Sequence, residues 1–410
     1  MRLSQNGSMP WKTEMTDSNA AELKQKRPLD TYAIFSANYP PNVGGVEKYT
    51  QNLARALAKQ GNRVIVVTNN VFGLDEIEQE CDHVDIVRLP CRNAMNGRYP
   101  LPLKSKDYSR LVKWITEQPI NYVIVNTRFY FHSLLGIHLA ESKGIKPIVI
   151  DHGSAHLTMG NPLLDIFVSA YEHAFTGIVK HHEADYYAVS QAGVRWLNHF
   201  GIEAKGTLCN SIDADRFKSN ASARDFRKEL DIGPEAFLVS FTGRFIPEKG
   251  IGPLMDAAEA LVQHGDIQFA LAGEGPLEQE ITRRNLPNVH IVGRLSSPDV
   301  AALLLASDAF CLPTRSEGFS TSLLEAAACE VTPIVTNVGG VEELMPTEEY
   351  GILLSQASGA KIRDAVLNLS ENIIKCSQMA HRINFQIRNE FSWQTTAHKA
   401  IAACKQANNG

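Results

Sequence analysis

The chain has 410 residues, 44% of them hydrophobic, with a formal charge of -5 and a pI near 6.2. This length exceeds what one hydrophobic core usually supports and predicts two domains, while the acidic balance excludes a dedicated nucleic-acid binder, whose domains are strongly basic. Small molecules or proteins are the expected partners. Seven cysteines stand singly, without a Cys-x-x-Cys pair for zinc or redox chemistry, and read as reduced thiols. Residues 1–28 are polar and predict a disordered tail without a secretory signal, and nowhere do eighteen apolar residues follow one another. A soluble, cytoplasmic chain is expected.

Residues 31–37, TYAIFSA, predict the first buried strand. A Pro/Gly loop follows, and then Tyr49, Leu53, Ala56 and Leu57 recur at helical spacing until Gly61 stops the helix. Further strands are expected at 63–70, 84–90, 121–126 and 146–151, with helical patterns between the last three. Such alternation implies a mostly parallel sheet covered on both faces. Beyond residue 176 the pattern loosens, with a strand at 186–190, a short helix over 191–201 and a polar stretch at 218–235. The domain boundary falls there, giving domains at 29–220 and 221–385 and a terminal helical segment at 386–410. Alternation then resumes, with strands at 237–243, 267–273, 288–293, 309–314, 332–336 and 351–354 and helices at 250–264, 276–284, 297–306 and 320–328. The fold class is α/β, two Rossmann-like doubly wound units facing across a cleft, and ligands of such sheets bind beyond the carboxyl ends of the strands.

The loops after strands therefore carry the candidates. Gly44 and Gly45 precede a helix N-terminus, where bare backbone and unpaired N–H groups suit a diphosphate, although an ordinary tight turn uses Gly-Gly equally well. In FTGRFIPEKG, Arg244 and Lys249 put a forked cation and a point charge on one strand-to-helix loop, as a pyrophosphate requires. Taken alone, such residues are more often solvated surface charges. LAGEGPL (271–277) repeats the strand-glycine-helix arrangement, with Pro276 expected at the first helical position.

EGFSTSLLE (317–325) holds a glutamate at each end. With a helix starting near Thr321, Glu317 lies on the loop and Glu325 inside the helix, and eight fully helical residues would span about 12 Å of axial rise. That is too far for the closely paired carboxylates of a retaining glycosidase. Two contacts to two parts of one extended ligand suit them better, with the N–H groups of Gly318, Phe319 and Ser320 between them and Leu323 and Leu324 anchoring the helix in the core. A helix-proximal charge and a surface residue would produce the same spacing. Two histidine-rich stretches, HGSAH (152–156) and HHEAD (181–185), lack the zincin pattern and are read as cleft or surface residues. No metal is predicted.

Taken together, GGVE (44–47), GRFIPEKG (243–250), LAGEGPL, VGRLS (292–296), EGFSTSLLE and VGGVEEL (338–344) resemble, in order and spacing, the retaining GT-B glycosyltransferases of family 4. The resemblance runs from about Tyr32 to the end. It implies that Arg244 and Lys249 bind the donor diphosphate, that Glu317 and the amides of Gly318, Phe319 and Ser320 hold the donor sugar, and that Glu325 contacts the ribose. By the same resemblance the base sits near Gly293 and Arg294, Gly44 and Gly45 close on the phosphates, and His152 lies beside the transferred sugar. The last helix is expected to cross back onto the first domain. The implied reaction moves a hexose from a nucleoside-diphosphate sugar to a glycan or lipid-linked acceptor, with retention and without metal or other cofactor, in cell-surface polysaccharide, lipopolysaccharide or glycolipid biosynthesis.

Ser211 and Glu330 depart from the family, which often has glycine at both positions. Acceptor contacts are expected in 92–108 and 156–175, where Arg98, Lys104 and Lys106 would suit an anionic lipid head group at the inner face of the cell membrane, or be a solvated basic loop. A nucleotide-sugar hydrolase or epimerase on the same scaffold and a non-catalytic two-domain binder stay open. An epimerase would be expected to offer paired acid and base carboxylates, however, and a pure binder has no need of Arg244, Lys249 and Glu317 together. An NAD-dependent oxidoreductase fits less well, because the first loop lacks the full glycine fingerprint.

Overall fold

The computed structural model describes residues 30–42, 44–94, 97, 99–156 and 162–409. The tail at 1–28, Arg98 and residues 157–161 of the expected acceptor loop lie outside the described residues.

The first sheet contains β1 (Thr31–Phe35), β2 (Arg63–Asn69), β3 (Ile77–Cys81), β4 (Val84–Leu89), β7 (Tyr122–Asn126), β8 (Ile148–Asp151), β9 (Asp185–Ala188) and β10 (Gly206–Thr207). A separate hairpin is made of β5 (Cys91–Ala94) and β6 (Tyr99–Pro102). The sheet order is β10-β9-β8-β7-β1-β2-β4-β3, parallel except at the β3 edge. All five residues of β1 are buried, as expected of a central strand covered by helices on both faces. Strand order reverses between β1 and β7, so the loops after these two strands flank an open crevice.

The second sheet contains β11 (Phe237–Thr242), β12 (Ile267–Ala272), β13 (Val289–Gly293), β14 (Ala309–Leu312), β15 (Thr332–Thr336) and β16 (Ile352–Leu354), all parallel, in the order β13-β12-β11-β14-β15-β16. Its reversal lies between β11 and β14. The loops that leave those strands are 243–250 and 313–320, which hold Lys249 and Glu317.

The final helix, Trp393–Asn408, returns to the first domain and packs on the helix Gly45–Lys59. Its buried face consists of small residues, Ala397, Ala400, Ala403 and Cys404, which let the backbones approach closely. Trp393 meets the Tyr49 ring edge-on at 5.4 Å. Ser211, one of the two departures, has its hydroxyl 2.7 Å from that of Thr396 and so ties the domain junction to this helix. Glu330, the other, has φ 60°, the left-handed backbone for which glycine is favoured, and its carboxylate pairs with Lys218 and His381.

Three expectations need correction. Pro276 is not at the first helical position: Leu277 N–H donates to the Phe245 carbonyl at 3.1 Å, holding the loop against the preceding one, and the helix runs Glu278–Arg284. The stretch 156–175 is mainly helix rather than loop, since Pro162–Val179 forms a continuous helix. The helix expected at 250–264 ends sooner, as Ile251–Ala260.

One buried charge network organises the first domain. Arg128 is fully buried and follows β7; its guanidinium donates to Asp151 Oδ2 at 2.5 Å and to Glu172, and lies 4.1 Å above the Phe200 ring. Burial raises the Asp151 carboxyl above its ordinary range while the guanidinium opposes that rise. Asp151 ends β8 immediately before His152, so the network fixes the exit of that strand. Replacing the cation would leave two buried carboxylates uncompensated. Arg128→Ala is expected to destabilise the first domain by about 3–5 kcal/mol, seen as an earlier calorimetric unfolding transition.

Candidate functional site

Gly45, Val46, Tyr49, His152, Val189 and Asn210 of the first domain face Lys249 and residues 317–322 of the second across a cavity of about 300 Å³. Helix termini point into it from both sides. Gly44 precedes the helix Gly45–Lys59 and supplies no side-chain cap, while the Glu47 carboxylate folds back over the first turn and accepts from its own backbone N–H. Opposite, the helix Thr321–Ala328 starts where Ser320 Oγ accepts from Leu323 N–H at 3.2 Å. Leu323 and Leu324 are fully buried beneath it.

Lys249 and Glu317 form an ion pair at the switch point of the second sheet, with side chains only 19% and 16% exposed. Sixty-eight positions separate them in the chain. Gly250, at φ 71°, makes the abrupt turn from Lys249 into its helix, and a Cβ there would lie 2.0 Å from the Pro313 carbonyl. The loop after β11 is thereby pressed against the loop after β14, which brings the lysine to the glutamate.

The two domains touch at this same place. A Cβ on Gly318 would lie 2.1 Å from the His152 carbonyl oxygen, so only glycine allows the approach. Ser154 Oγ donates to the Glu317 carbonyl at 2.5 Å, and Asn210 Nδ2 donates to Thr321 Oγ1 at 3.2 Å.

His152 is positioned from behind. Its Nε2 lies 3.0 Å from Asn126 Oδ1, and Asn126 Nδ2 donates to Thr50 Oγ1 at 2.8 Å. Thr50 in turn donates to the Val46 carbonyl. With the asparagine amide committed to Thr50, its oxygen accepts from His152 Nε2–H, which leaves Nδ1 as an acceptor. The Tyr49 ring stands edge-on to the imidazole at 4.7 Å. Burial pushes the His152 pKa down to about 3, so the ring is neutral at physiological pH.

Other expected site residues are placed differently. Gly44 does not line the cavity; a Cβ there would meet the Glu47 carboxylate, which folds back over it. Arg244 is exposed, forms no ion pair among the described residues, and stands on the same loop as Lys249 without lining the cavity. Gly293 ends β13, and Arg294 pairs with Glu274 at 3.1 Å in solvent. Phe319 is buried and its ring packs on Phe391, so of Gly318, Phe319 and Ser320 only the backbone is free to serve a ligand, Ser320 Oγ being used as the helix cap. Glu325 lies one turn beyond Thr321 on the same helix face and outside the cavity lining.

Tyr49, Asn126, Asn210 and Thr321 join the site without having been expected there. Asn126 had a usable signal, since it is the polar residue closing the apolar strand YVIVN at its carboxyl end. A second, smaller cavity of about 190 Å³ adjoins through Val46 and His152 and is lined further by Asn38, Glu47, Tyr130 and Glu172.

Chemically, the arrangement offers a cation held by a carboxylate, two helix starts and a neutral imidazole, around a space that suits an anion joined to a hydroxyl-rich group.

Comparisons with known proteins converge. Residues 43–216 match the family model described as Glycosyltransferase Family 4, and residues 222–384 match Glycosyl transferases group 1. A human subunit of phosphatidylinositol N-acetylglucosaminyltransferase is 23% identical over 89% of this chain and 74% of its own length. The Corynebacterium glutamicum GDP-mannose-dependent monoacylated alpha-(1-6)-phosphatidylinositol monomannoside mannosyltransferase is 22% identical over 88% of this chain and 94% of its own. Among solved structures, Anabaena HepE in complex with UDP-glucose superposes with a TM-score of 0.70 at 18% identity, covering 92% of this chain and 99% of that one. Its likeness establishes the fold.

Burial raises the Glu325 carboxyl from 4.5 to about 7, partly offset by Lys48. The folded chain therefore holds this proton more tightly than the unfolded chain. That contribution is fully present below pH 4.5 and is lost as pH rises through about 7. Relative to Glu325→Gln, the wild-type chain is expected to lose stability across this window, measured by urea unfolding at stepped pH.

Proposed function

The chain belongs to glycosyltransferase family 4 and has the GT-B fold, and from that premise we propose that it moves a hexose from a nucleoside-diphosphate sugar to a glycan or lipid-linked acceptor, with retention and without a metal at the donor phosphates. The observation that carries this reading is the Lys249–Glu317 pair, which faces His152 across a cavity bounded by two helix N-termini. A donor entering with its diphosphate at Lys249 takes over from Glu317 as the anion beside the lysine, and Arg244 on the same loop adds a second cation at the rim. Breaking the bond between the anomeric carbon and the diphosphate oxygen builds negative charge on the leaving group. Fixed cations and amide dipoles stabilise that charge without reorganising.

Glu317 is the one carboxylate lining the cavity among the described residues, and it is tied to Lys249. A tied carboxylate is a poor nucleophile. Front-face attack by the acceptor needs none, because the departing diphosphate can take the acceptor proton, and this route accounts for retention. His152, neutral with Nδ1 as acceptor, suits a hydroxyl of the sugar or of the acceptor. The adjoining cavity in the first domain is the acceptor side. One helix supplies its Glu172 and carries Ile166 and Phe167, 65% and 71% exposed, on its outer surface, an arrangement that suits a lipid-linked acceptor. The lipid substrates in the human and corynebacterial relatives' names favour the same acceptor class. Glu325, one turn along the helix from Thr321, is assigned to the donor ribose.

Thermal-shift screening of nucleotide sugars, followed by product analysis with lipid-linked acceptors, tests the reaction. Release of free sugar with no acceptor product would instead favour a hydrolase. Lys249→Ala and Glu325→Ala are each expected to lower transfer by at least ~100-fold, the scale of losing a transition-state charge partner; unchanged turnover in both contradicts the site assignment. Transfer is expected to persist in EDTA, and its abolition with recovery on adding magnesium, an oxygen-seeking ion suited to a diphosphate, would refute metal-free leaving-group stabilisation.

A further inference from the structure

Three histidines from separate stretches meet on the first domain, away from the donor cavity. His156 follows β8, His173 lies on the helix Pro162–Val179, and His199 ends the helix Gln191–His199. One ring nitrogen from each lies within 4.8 Å of the other two. Nε2 of His173 and Nε2 of His199 are 3.4 Å apart, longer than a good hydrogen bond. Two imidazole nitrogens bound to one tetrahedral ion at about 2.0–2.1 Å stand about 3.3–3.4 Å apart.

The third ring is oriented by a carboxylate. His156 Nδ1 lies 2.9 Å from Glu172 Oε2, so Nδ1–H donates to it and Nε2 is left as the ring acceptor, 3.3 Å from the Ser169 hydroxyl, the one partner an ion would displace. Metal-bound histidines are characteristically held this way, with the second ring nitrogen donating to a carboxylate. Glu172 is itself only 2% exposed and is gripped by Arg128. Aromatic packing holds the other rings, with Trp196 stacked on His199 at 5.0 Å and 5° and Phe200 4.7 Å from His173. His173 and His199 are exposed, which gives an ion a direct path in and leaves room for a solvent ligand.

We propose that His156, His173 and His199 bind one transition-metal dication of the zinc class, with Glu172 orienting His156. Three imidazoles with no oxygen or thiolate ligand suit zinc, cobalt, nickel or copper and not magnesium or calcium, which take oxygen ligands. The bound ion braces the loop that carries His152 and Ser154 to two helices of the first domain. It serves the acceptor side and does not touch the diphosphate, so loss of the ion on chelation is compatible with continued transfer.

Cobalt(II) titrated into the chelator-treated full-length chain is expected to give visible d–d absorption that saturates at one equivalent and is displaced by zinc. His173→Ala and His199→Ala should each weaken binding at least ~10-fold, and the double variant should abolish the absorption. Both side chains are exposed, so circular dichroism is expected to show the variants folded. Zinc should raise the Tm of the wild type and not of the double variant. Absence of the cobalt band in the wild type, or its persistence in the double variant, overturns the proposal.

Discussion

The closed cleft depends on one backbone approach, that of Gly318 to the carbonyl of His152. Any side chain at 318 would occupy the space of that oxygen, 2.1 Å from its Cβ. The contact joins the loop after β14 to the loop after β8, and thus the carboxyl ends of two parallel sheets. The loop around 318 is shaped from below as well, since a Cβ on Gly340 would collide with the Phe319 ring. The absence of two side chains thereby sets how near the domains come. Ser154, donating to the Glu317 carbonyl, adds a directional bond at the same seam.

Around that seam the electrostatics are asymmetric. On the second domain a lysine and a glutamate neutralise each other in a space largely withdrawn from solvent, where charge interactions are strong and an unpaired charge is costly. On the first domain the facing groups are neutral, an imidazole kept unprotonated by burial and a tyrosine ring that shields it. In the proposed reaction an anionic ligand would be drawn to the lysine side, and hydroxyl groups would be left for the histidine side. Behind the histidine, Asp151, Arg128 and Glu172 form a continuous buried chain reaching toward His156. The same strand exit is therefore anchored from the core and from the surface.

Much of the fold is legible in the chain because buried parallel strands are apolar without interruption, as in TYAIF and FLVSFT, and because the helices between them keep a helical period. What escapes such reading has polar or irregular patterning. The edge strand β3, IEQEC, is almost entirely exposed and lacks an apolar run, since an antiparallel edge needs no covering on its outer side. The hairpin β5–β6 carries two prolines in its second strand, at positions that read as loop. In the site, Glu317, Lys249, Gly45 and His152 are legible because they follow strands, and the helix start at Thr321 is legible because a hydroxyl cap precedes an apolar helix. Asn210 and Tyr49 are not, since one lies in an irregular segment and the other keeps the period of a core residue.

The sequence by itself determined the alternation of strand and helix, the division into two sheet-bearing domains and the order of loop motifs that place the chain in its family. These are local properties, set by hydrophobic period, glycine positions and helix starts, which are read within windows of a few residues. Only the tertiary structure decided that Lys249 pairs with Glu317 while Arg244 stays at the rim, that Asn126 holds His152, and that His156, His173 and His199 meet. Each depends on how crossover helices return strands to the sheet and how far two domains close. That geometry is fixed by packing between residues remote in the chain, and no local pattern encodes it.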